Sequence, residues 1–465
     1  MKTQNAACLL AGLLSLALTD CIRPQNYHPA TSTFTYEYCN DGYFYDDRVH
    51  EAYIELDARG MQFDSAQTER AIALITALRH PAGRSEQAVS VFVFVHGWKN
   101  NASEDSGNVW GFRRMLNHIA NSLHTRGTGD RTTPVVGIYI GWPGAMTRSG
   151  TFLSFWSRES VANAVGEGDL SGVLEKVLVA TKKTAYGDYE GISDAVLIGH
   201  SFGGLVLERA VLGILEKQLA KLAPGMELKP AADFILLLNE AGPASQAQRF
   251  LLQLLRNHIE FSEDGEPFPL VASMTSVGDP ATKLAFPGSQ FVSPNRPVTQ
   301  SFNPLDEFGQ KTSLPYNLLT TANMVALQSH EFKQVNAENQ CPAGGIFVPL
   351  FLRDNGNTKV AYDRYCIQKK TPAPPQPLID NTTPYWVMQL PQVFVPDHGS
   401  VFRDPVIDLI NAFLAHRGRV NLPTAQAKEG VKALAITPPP PPPPQAIAAK
   451  PPQRHEPRLK MGTTP

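Results

Sequence analysis

A serine that could act as a nucleophile lies between a short apolar segment and a helical pattern. Residues 195–198 form an apolar run of the length expected for a buried strand, and GHSFG at 199–203 follows it directly. From residue 205 onward, apolar residues recur at three- and four-residue spacing, which predicts a helix. Gly-x-Ser-x-Gly on such a turn is the nucleophile elbow, which raises a serine hydroxyl above the end of a central strand. We therefore expect Ser201 to be a catalytic nucleophile.

A serine hydroxyl is a poor nucleophile without a base in hydrogen-bond reach, and that base needs an orienting carboxylate. His398, in the sequence PDHG after a predicted strand, is the expected base. His330 is its rival for that role. Asp279, in SVGDP after another predicted strand, is the expected carboxylate, and Glu240, which also ends a strand, is the alternative acid.

Strands and helices alternate along most of the chain. Alternation of apolar and polar residues predicts a strand at 52–56, and mainly apolar runs predict strands at 89–95, 134–140, 195–198, 234–238, 270–274 and 385–390. Helical spacing predicts helices at 64–78, 109–123, 160–179, from the elbow to near 224, 246–256, and from 404 to just before 418. This alternation predicts an α/β fold with a doubly wound, mainly parallel sheet. Such sheets carry reactive residues on the loops at the carboxyl ends of their strands, where the candidate residues fall.

The chain resembles the serine α/β-hydrolases of the bacterial esterase/lipase type. The motifs that carry the likeness are HGWKNNA at 96–102, GHSFGG at 199–204, GDPAT at 278–282, and DHG at 397–399 before the helix DPVIDLI. It covers about 50–280 and 380–418. The resemblance implies hydrolysis of a carboxylic ester through an acyl-enzyme. Acyl transfer and peptide cleavage use the same residues and stay open, as does a non-catalytic exported binding protein on this fold.

Two backbone N–H groups should bind the oxygen of the tetrahedral intermediate. One is expected on Phe202, at the start of the helix after the elbow, and the resemblance assigns the other to Trp98. Three aromatic residues, Phe152, Phe155 and Trp156, either line a substrate pocket or pack a helix on the sheet. The sequence indicates no cofactor, and no cysteine or histidine spacing suggests a metal site.

Composition and segment boundaries divide the chain into six parts. We expect a signal peptide at 1–20, an extension at 21–50, the first part of the hydrolase core at 51–280, an insertion at 281–380, the last part of the core at 381–418, and a proline-rich low-complexity tail at 419–465. The insertion leaves and rejoins the core near the candidate site, so it is either a cap over the substrate or a structural addition.

The N-terminal residues indicate export to the bacterial cell envelope. Lys2 precedes an apolar stretch at 6–18, which is typical of a signal peptide. LTDC at 18–21 resembles a lipoprotein cleavage site, with Asp20 as a departure, so Cys21 is either a lipidated anchor or part of a soluble exported protein. In an oxidising compartment, Cys341 and Cys366 should form a disulfide, because they bracket a predicted hairpin.

The overall composition is that of an ordinary globular protein. Of the 465 residues, 43% are hydrophobic and 18% are charged, and the formal net charge is −2. This balance argues against nucleic acid as a partner. A small-molecule or lipid ester is the expected substrate, and the sequence leaves the oligomeric state open.

Overall fold

The structure is a computed structural model of the chain. It describes residues 26–28, 48–124, 133–145, 154–182, 193–221, 232–256, 262–263, 266–292, 318–336, 341–354, 357–370 and 383–417. All of them belong to one unit, Met1–Ala425. The predicted signal peptide, Cys21 and the proline-rich tail lie outside the described residues.

A seven-stranded sheet forms the centre of the fold. Its strands are β1 (Val49–Glu55), β2 (Ser90–Val95), β3 (Val135–Gly141), β4 (Asp194–His200), β5 (Phe234–Leu238), β6 (Val271–Ser276) and, much later in the chain, Tyr385–Leu390. Their order is β1-β3-β2-β4-β5-β6 followed by Tyr385–Leu390, and every neighbouring pair is parallel. The predicted mainly parallel sheet is confirmed.

Helices follow the strands and cover both faces. They are α1 (Ser65–Arg79), α2 (Gly107–His124), α3 (Ser154–Glu167), α4 (Leu170–Lys182), α5 (Phe202–Lys221), α6 (Ala244–Arg256), α7 (Phe286–Val292) and α8 (Asp404–His416). The period-two alternation of strand side chains fills two separate cores. In β2, Val91, Val93 and Val95 join the core beneath α4, α5 and α6, whereas Phe92 and Phe94 join the core beneath α2 and α8. The sheet is thus doubly wound, as predicted.

One predicted helix, 160–179, is two helices in the structure. α3 ends at Glu167 and α4 begins at Leu170, and Gly168 lies against Gly60 between them. A Cβ on Gly168 would be 2.5 Å from the carbonyl oxygen of Gly60, and the Asp169 N–H donates to that oxygen at 2.8 Å. The break comes from this contact with a residue more than a hundred positions earlier, which helical spacing does not encode.

A second, three-stranded antiparallel sheet lies within the predicted insertion. It consists of β7 (His330–Gln334), β8 (Ile346–Asp354) and β9 (Asn357–Lys369) in the order β8-β9-β7, and the last strand of the central sheet, Tyr385–Leu390, becomes β10. Ile346, Val348 and Leu350 of β8 share the core of α8. The predicted hairpin is confirmed, and so is the disulfide between Cys341 and Cys366.

The described part of the insertion therefore packs beside the central sheet, on α8 and β10. Residues 293–317, 337–340, 355–356 and 371–380 of the insertion lie outside the described residues, so the cap stays a prediction. Among the helices that the structure describes, none has the length and apolar character needed to cross a membrane.

Candidate active site

The turn between β4 and α5 raises Ser201 at the carboxyl edge of the sheet. Ser201 has a φ of 57°, a left-handed conformation that a non-glycine residue adopts only when its surroundings impose it. The surroundings do so by close approach of backbones. A Cβ on Gly203 would lie 2.1 Å from the carbonyl oxygen of Val95, and one on Gly199 would lie 2.7 Å from the Cα of Gly204. Only glycine fits at these two positions, as in a nucleophile elbow.

The imidazole of His398 lies directly beside the Ser201 hydroxyl. The distance from His398 Nε2 to Ser201 Oγ is 2.8 Å. His398 follows β10 on a loop that the Asp397 carboxylate organises, because it accepts the N–H groups of Gly399 at 2.9 Å and Ser400 at 3.0 Å. Ser201 and His398, 197 positions apart, are thus brought within hydrogen-bond distance.

Asp279 contacts the other nitrogen of the same imidazole. His398 Nδ1 is 2.8 Å from Asp279 Oδ2, and this carboxylate also accepts from Thr282 Oγ1 at 2.8 Å and from the Ala281 N–H at 2.8 Å. Burial alone raises the pKa of the Asp279 carboxyl. The hydrogen bond and charge of His398, with the Thr282 and Ala281 donors, outweigh burial and hold that pKa below its ordinary value.

These contacts fix the proton positions when His398 is neutral. A carboxylate only accepts, so Nδ1 carries the proton and Nε2 is left as the acceptor for the Ser201 hydroxyl. That is the tautomer a general base needs. The imidazole is 29% exposed, so the site can be reached from solvent.

Two further side chains hold the main chain of His398. The carbonyl oxygen of His398 accepts from His200 Nε2 at 2.7 Å and from Asn239 Nδ2 at 3.2 Å. Burial, followed by the neighbouring His398, lowers the pKa of His200 to about 3, so its ring stays neutral and donates from Nε2. Asn239 was not singled out from the sequence. The sequence feature that could have indicated it is an asparagine directly after β5, because asparagine tolerates the left-handed backbone that it has there, with a φ of 46°.

The loop after β2 also contacts the serine turn. A Cβ on Gly97 would be 2.7 Å from Ser201 Cβ, so Gly97 packs directly against the elbow. His96 ties this loop to the end of β3, since its Nδ1 donates to Gly97 O at 2.9 Å and its Nε2 accepts the Trp142 N–H at 3.1 Å. Burial lowers the pKa of His96 to about 4, which keeps the ring neutral for both bonds.

The two expected oxyanion donors each lie next to one of the two residues in this contact. Trp98 directly follows Gly97, and Phe202 begins α5 after the serine. Lys99 is held with a φ of 67° by its N–H bond to Gly144 O, at 2.9 Å, and its ammonium is 4.5 Å from the centroid of the Trp98 ring. The oxyanion roles of the Trp98 and Phe202 backbones stay predictions.

Glu240, the alternative acid, belongs to a different contact network. It is buried behind the elbow, accepts from Ser273 Oγ at 3.2 Å, and lies close enough to the carboxyl of Glu208 for the two to interact electrostatically. Glu208 in turn accepts from Tyr385 at 2.5 Å and Gln246 at 2.7 Å. Burial, and then the neighbouring Glu208, raises the pKa of Glu240 well above its ordinary value. Glu240 therefore holds its proton to higher pH than an ordinary carboxyl does, and Asp279 is the carboxylate that the structure brings to His398.

His330, the rival base, is also placed elsewhere. Its ring stacks on Trp386 with centroids 3.8 Å apart, and its Nδ1 is 2.9 Å from Ser329 Oγ. Burial, with a contribution from Lys369, lowers its pKa to about 3. The aromatic group near residue 152 stays untested, because Phe152 and the side chains of Phe155 and Trp156 lie outside the described part of the chain.

Metal binding finds no support in the part of the chain that the structure describes, where no group of three histidine, cysteine or carboxylate side chains could hold an ion. The fold and the site together define a class: an α/β protein with serine, histidine and aspartate in hydrogen-bonded sequence at the carboxyl edge of a parallel sheet.

Comparison with known proteins adds little to this definition. No family model matches the chain, and no curated protein does. Among solved structures, phospholipase PlaB from Legionella pneumophila in complex with thio-NAD is similar at a TM-score of 0.23 and 13% identity, over 61% of this chain and 50% of that one. The matched part thus spans half of PlaB, and so distant a likeness identifies neither the family nor the activity.

Proposed function

We propose that the protein is a serine hydrolase that cleaves carboxylic esters. The observation that carries the proposal is the hydrogen-bonded series from Ser201 Oγ to His398 Nε2 and from His398 Nδ1 to Asp279 Oδ2, with both distances 2.8 Å. A hydroxyl, a neutral imidazole and a buried carboxylate in this order are the parts required for nucleophilic acyl transfer.

In the first half of the reaction, Ser201 Oγ attacks the ester carbonyl carbon while its proton passes to His398 Nε2. Asp279 stabilises the imidazolium that forms. The negative charge that develops on the carbonyl oxygen is bound by the backbone N–H groups assigned to Phe202 and Trp98. The carbon–oxygen bond to the alcohol then breaks, the alcohol takes the proton from Nε2, and an acyl-enzyme remains.

In the second half, water replaces the alcohol. His398 Nε2 takes a proton from the water as it attacks the acyl carbon, and returns it to Ser201 Oγ when the ester bond to the enzyme breaks. The products are the carboxylic acid and the free hydroxyl of Ser201. No step needs a cofactor.

The ester is preferred as substrate because the motifs resemble those of esterases and lipases. The surface near the site supports an apolar acyl group: Val277, two residues before Asp279, is 43% exposed, and Leu284, five residues after it, is 74% exposed. Exposed aliphatic side chains on the short segment that carries Asp279 favour a substrate with apolar surface.

A fluorophosphonate probe tests the proposal, because it reacts only with an activated serine. We expect it to label the wild type and not Ser201→Ala, and to leave His398→Ala unlabelled at matched times. A panel of soluble esters of rising chain length, with amide and acyl-acceptor arms, then measures the reaction type. A folded wild type that resists the probe and turns over none of these substrates contradicts the proposal and favours a binding protein on this fold.

We further propose that the protein is exported to the bacterial cell envelope and anchored through a lipid on Cys21. The support is the apolar N-terminal stretch and the LTDC sequence at 18–21. Metabolic labelling with a fatty acid analogue, compared between the wild type and Cys21→Ser, is the measurement. Label in neither, with the protein recovered in the soluble envelope fraction, favours soluble export instead.

A further inference from the structure

Residues 26–28, which we term the N-terminal strap, are buried against the end of β1. The ring of His28 is 1% exposed and stacks on Tyr53, with centroids 3.7 Å apart and an interplanar angle of 11°. The main chain is bound by one carboxylate: Glu55 Oε2 accepts the Tyr27 N–H at 2.9 Å, and Glu55 Oε1 accepts the His28 N–H at 2.7 Å. The strap is thus held by its backbone as well as by its side chains.

Glu55 and Gln67 form a binding site for this backbone. Glu55, the last residue of β1, is 2% exposed, and a buried carboxylate is costly unless charge-assisted hydrogen bonds satisfy it. Gln67 accepts the Glu55 N–H at 2.8 Å and donates to the His28 carbonyl at 2.5 Å. Donors and acceptors on the body of the protein therefore match those of the strap.

The side chains of the strap reach the loop that approaches Ser201. Residues 96–104 are here termed the oxyanion loop. Asn101 Nδ2 donates to the Tyr27 hydroxyl at 3.2 Å, and His28 Nε2 is 3.0 Å from Glu104 Oε1. The other oxygen of Glu104 pairs with Arg113 at 2.8 Å, which fixes the end of the loop to α2. The strap thus contacts the oxyanion loop at two points.

The same loop is fixed at its other end beside the serine. Gly97 lies against Ser201, and Asn101 is bound on its second side, since the Tyr139 hydroxyl donates to its carbonyl at 3.1 Å. Only the chain from Trp98 to Asn100 lies between these fixed points. Small displacements of a group that binds the transition state lower rates strongly. We therefore expect the anchoring of Asn101 to help fix the direction in which the Trp98 N–H points.

We infer that the N-terminal strap is a positioning element for the oxyanion loop, with Tyr27 and His28 as its positioning residues. The inference rests on the proposed hydrolase function. Neither residue touches the reacting atoms. Both act through Asn101 and Glu104 on the backbone donor at Trp98, so their loss weakens binding of the transition state and leaves ground-state binding of the substrate in place.

The test is steady-state kinetics with a soluble ester on Tyr27→Phe, His28→Ala and the control Tyr365→Phe. The control also removes a tyrosine hydroxyl, one that bonds Asp363 on β9 at 3.0 Å, away from the strap. We expect kcat to fall about 3- to 10-fold for Tyr27→Phe and about 10- to 100-fold for His28→Ala, with KM within about twofold and the control unchanged. A kcat within about twofold of wild type in both strap variants overturns the inference.

A double-mutant cycle separates positioning from a general loss of stability. Tyr27→Phe and Asn101→Ala are combined, and kcat is measured well below the melting temperature of each variant. Positioning predicts that the second change adds little once the first is made, whereas independent, multiplicative losses overturn it. Probe labelling of wild type but not Ser201→Ala is measured alongside. If the probe does not label wild type, the hydrolase proposal is refuted. If it labels wild type but not Ser201→Ala, and the two losses in kcat multiply, only the positioning role of the strap is refuted.

Discussion

Asp279 is fully buried, and its carboxyl nevertheless has a pKa below the ordinary value because His398, Thr282 and the Ala281 backbone all donate to it or carry positive charge near it. Glu240 is also buried but has the opposite shift: burial raises the pKa of its carboxyl, and the neighbouring carboxyl of Glu208 raises it further. Two acids that both end strands, and that the sequence could not separate, are separated here by their partners. These partners are distant in sequence, which is why spacing alone left the choice open.

Substitution of the two acids tests the assignment. In Asp279→Asn the amide cannot hold His398 in the tautomer that accepts from Ser201, so kcat should fall by about three to four orders of magnitude. Glu240→Gln keeps the size of the side chain and leaves the His398–Asp279 hydrogen bond in place, so kcat should stay within about tenfold of wild type. Steady-state ester hydrolysis at neutral pH is the measurement. The reverse pattern of losses would assign the acid to Glu240.

The Glu208–Glu240 pair predicts a stability that falls with rising pH. The raised pKa of Glu240 means that the folded state keeps a proton that the unfolded chain releases near the ordinary value of 4.5. Its contribution to stability is complete below that value and is lost as the pH rises toward the folded-state pKa. In Glu240→Gln this titration is absent, so its free energy of unfolding should decline less than that of wild type from about pH 5 to about pH 8.

Urea unfolding at several pH values measures this difference. Glu69→Gln is the matched control, because it removes a carboxylate that is 61% exposed on α1. Equal slopes of unfolding free energy against pH for wild type and Glu240→Gln would contradict the raised pKa of Glu240.

At the scale of elements, the central sheet is the part that the sequence predicts best. Its inner strands β2 to β5 are mostly apolar runs that end at glycine, proline or polar turns, a pattern that burial on both faces of a parallel sheet favours, whereas the edge strand β1 carries alternating polar residues. β7, with the sequence HEFKQ, was not predicted because it carries charges and lies at the edge of the small sheet. The strap could not be predicted for a different reason. Three residues are too few to show a periodicity, and their contacts with Glu55 and Gln67 follow only from the fold.

The oxyanion loop packs against the elbow at Gly97, so adding a single methyl group there should lower the catalytic rate strongly. In Gly97→Ala the new Cβ would lie 2.7 Å from Ser201 Cβ and 2.9 Å from the carbonyl oxygen of His200. Since both neighbours are part of the elbow, the loop must move, and kcat should fall about 100-fold. Gly107→Ala is the control, because a Cβ there meets nothing within 4 Å.

Initial rates with a soluble ester, together with melting temperatures, measure the effect. The loss should be in kcat for Gly97→Ala and absent for Gly107→Ala. Wild-type rates in Gly97→Ala would show that the loop tolerates displacement, and would also weaken the role assigned to the strap.

At the scale of the whole molecule, two of the five large hydrophobic side chains that are exposed in the described residues lie close together in the chain. Val277 and Leu284 lie on the segment that carries Asp279, and Lys283, which is also exposed, donates to the Val277 carbonyl at 2.7 Å. Aliphatic groups with a cation among them suit contact with a lipid surface. The segment that carries Asp279 would then contact substrate molecules assembled in a lipid surface as well as single substrate molecules.

Leu284→Ser should therefore lower hydrolysis of esters presented in anionic vesicles about 3- to 10-fold and leave soluble short-chain esters within about twofold, because one exposed leucine contributes about 1–2 kcal/mol on burial. Val325→Ser, at a valine that is 68% exposed on another segment, is the control. Equal losses on vesicles and soluble esters would show that Leu284 acts on the site itself. No loss on either would remove the lipid surface from the account.

The strap also limits how far the body can stand from an anchored N-terminus. Five peptide units separate Cys21 from Asn26, and a fully extended chain of that length spans at most about 18 Å. A lipid on Cys21 would therefore hold the edge of the sheet that carries Ser201 within a few tens of ångströms of the bilayer. If the proposed hydrolase activity also holds, an ester substrate in that bilayer would reach Ser201 by lateral diffusion in two dimensions.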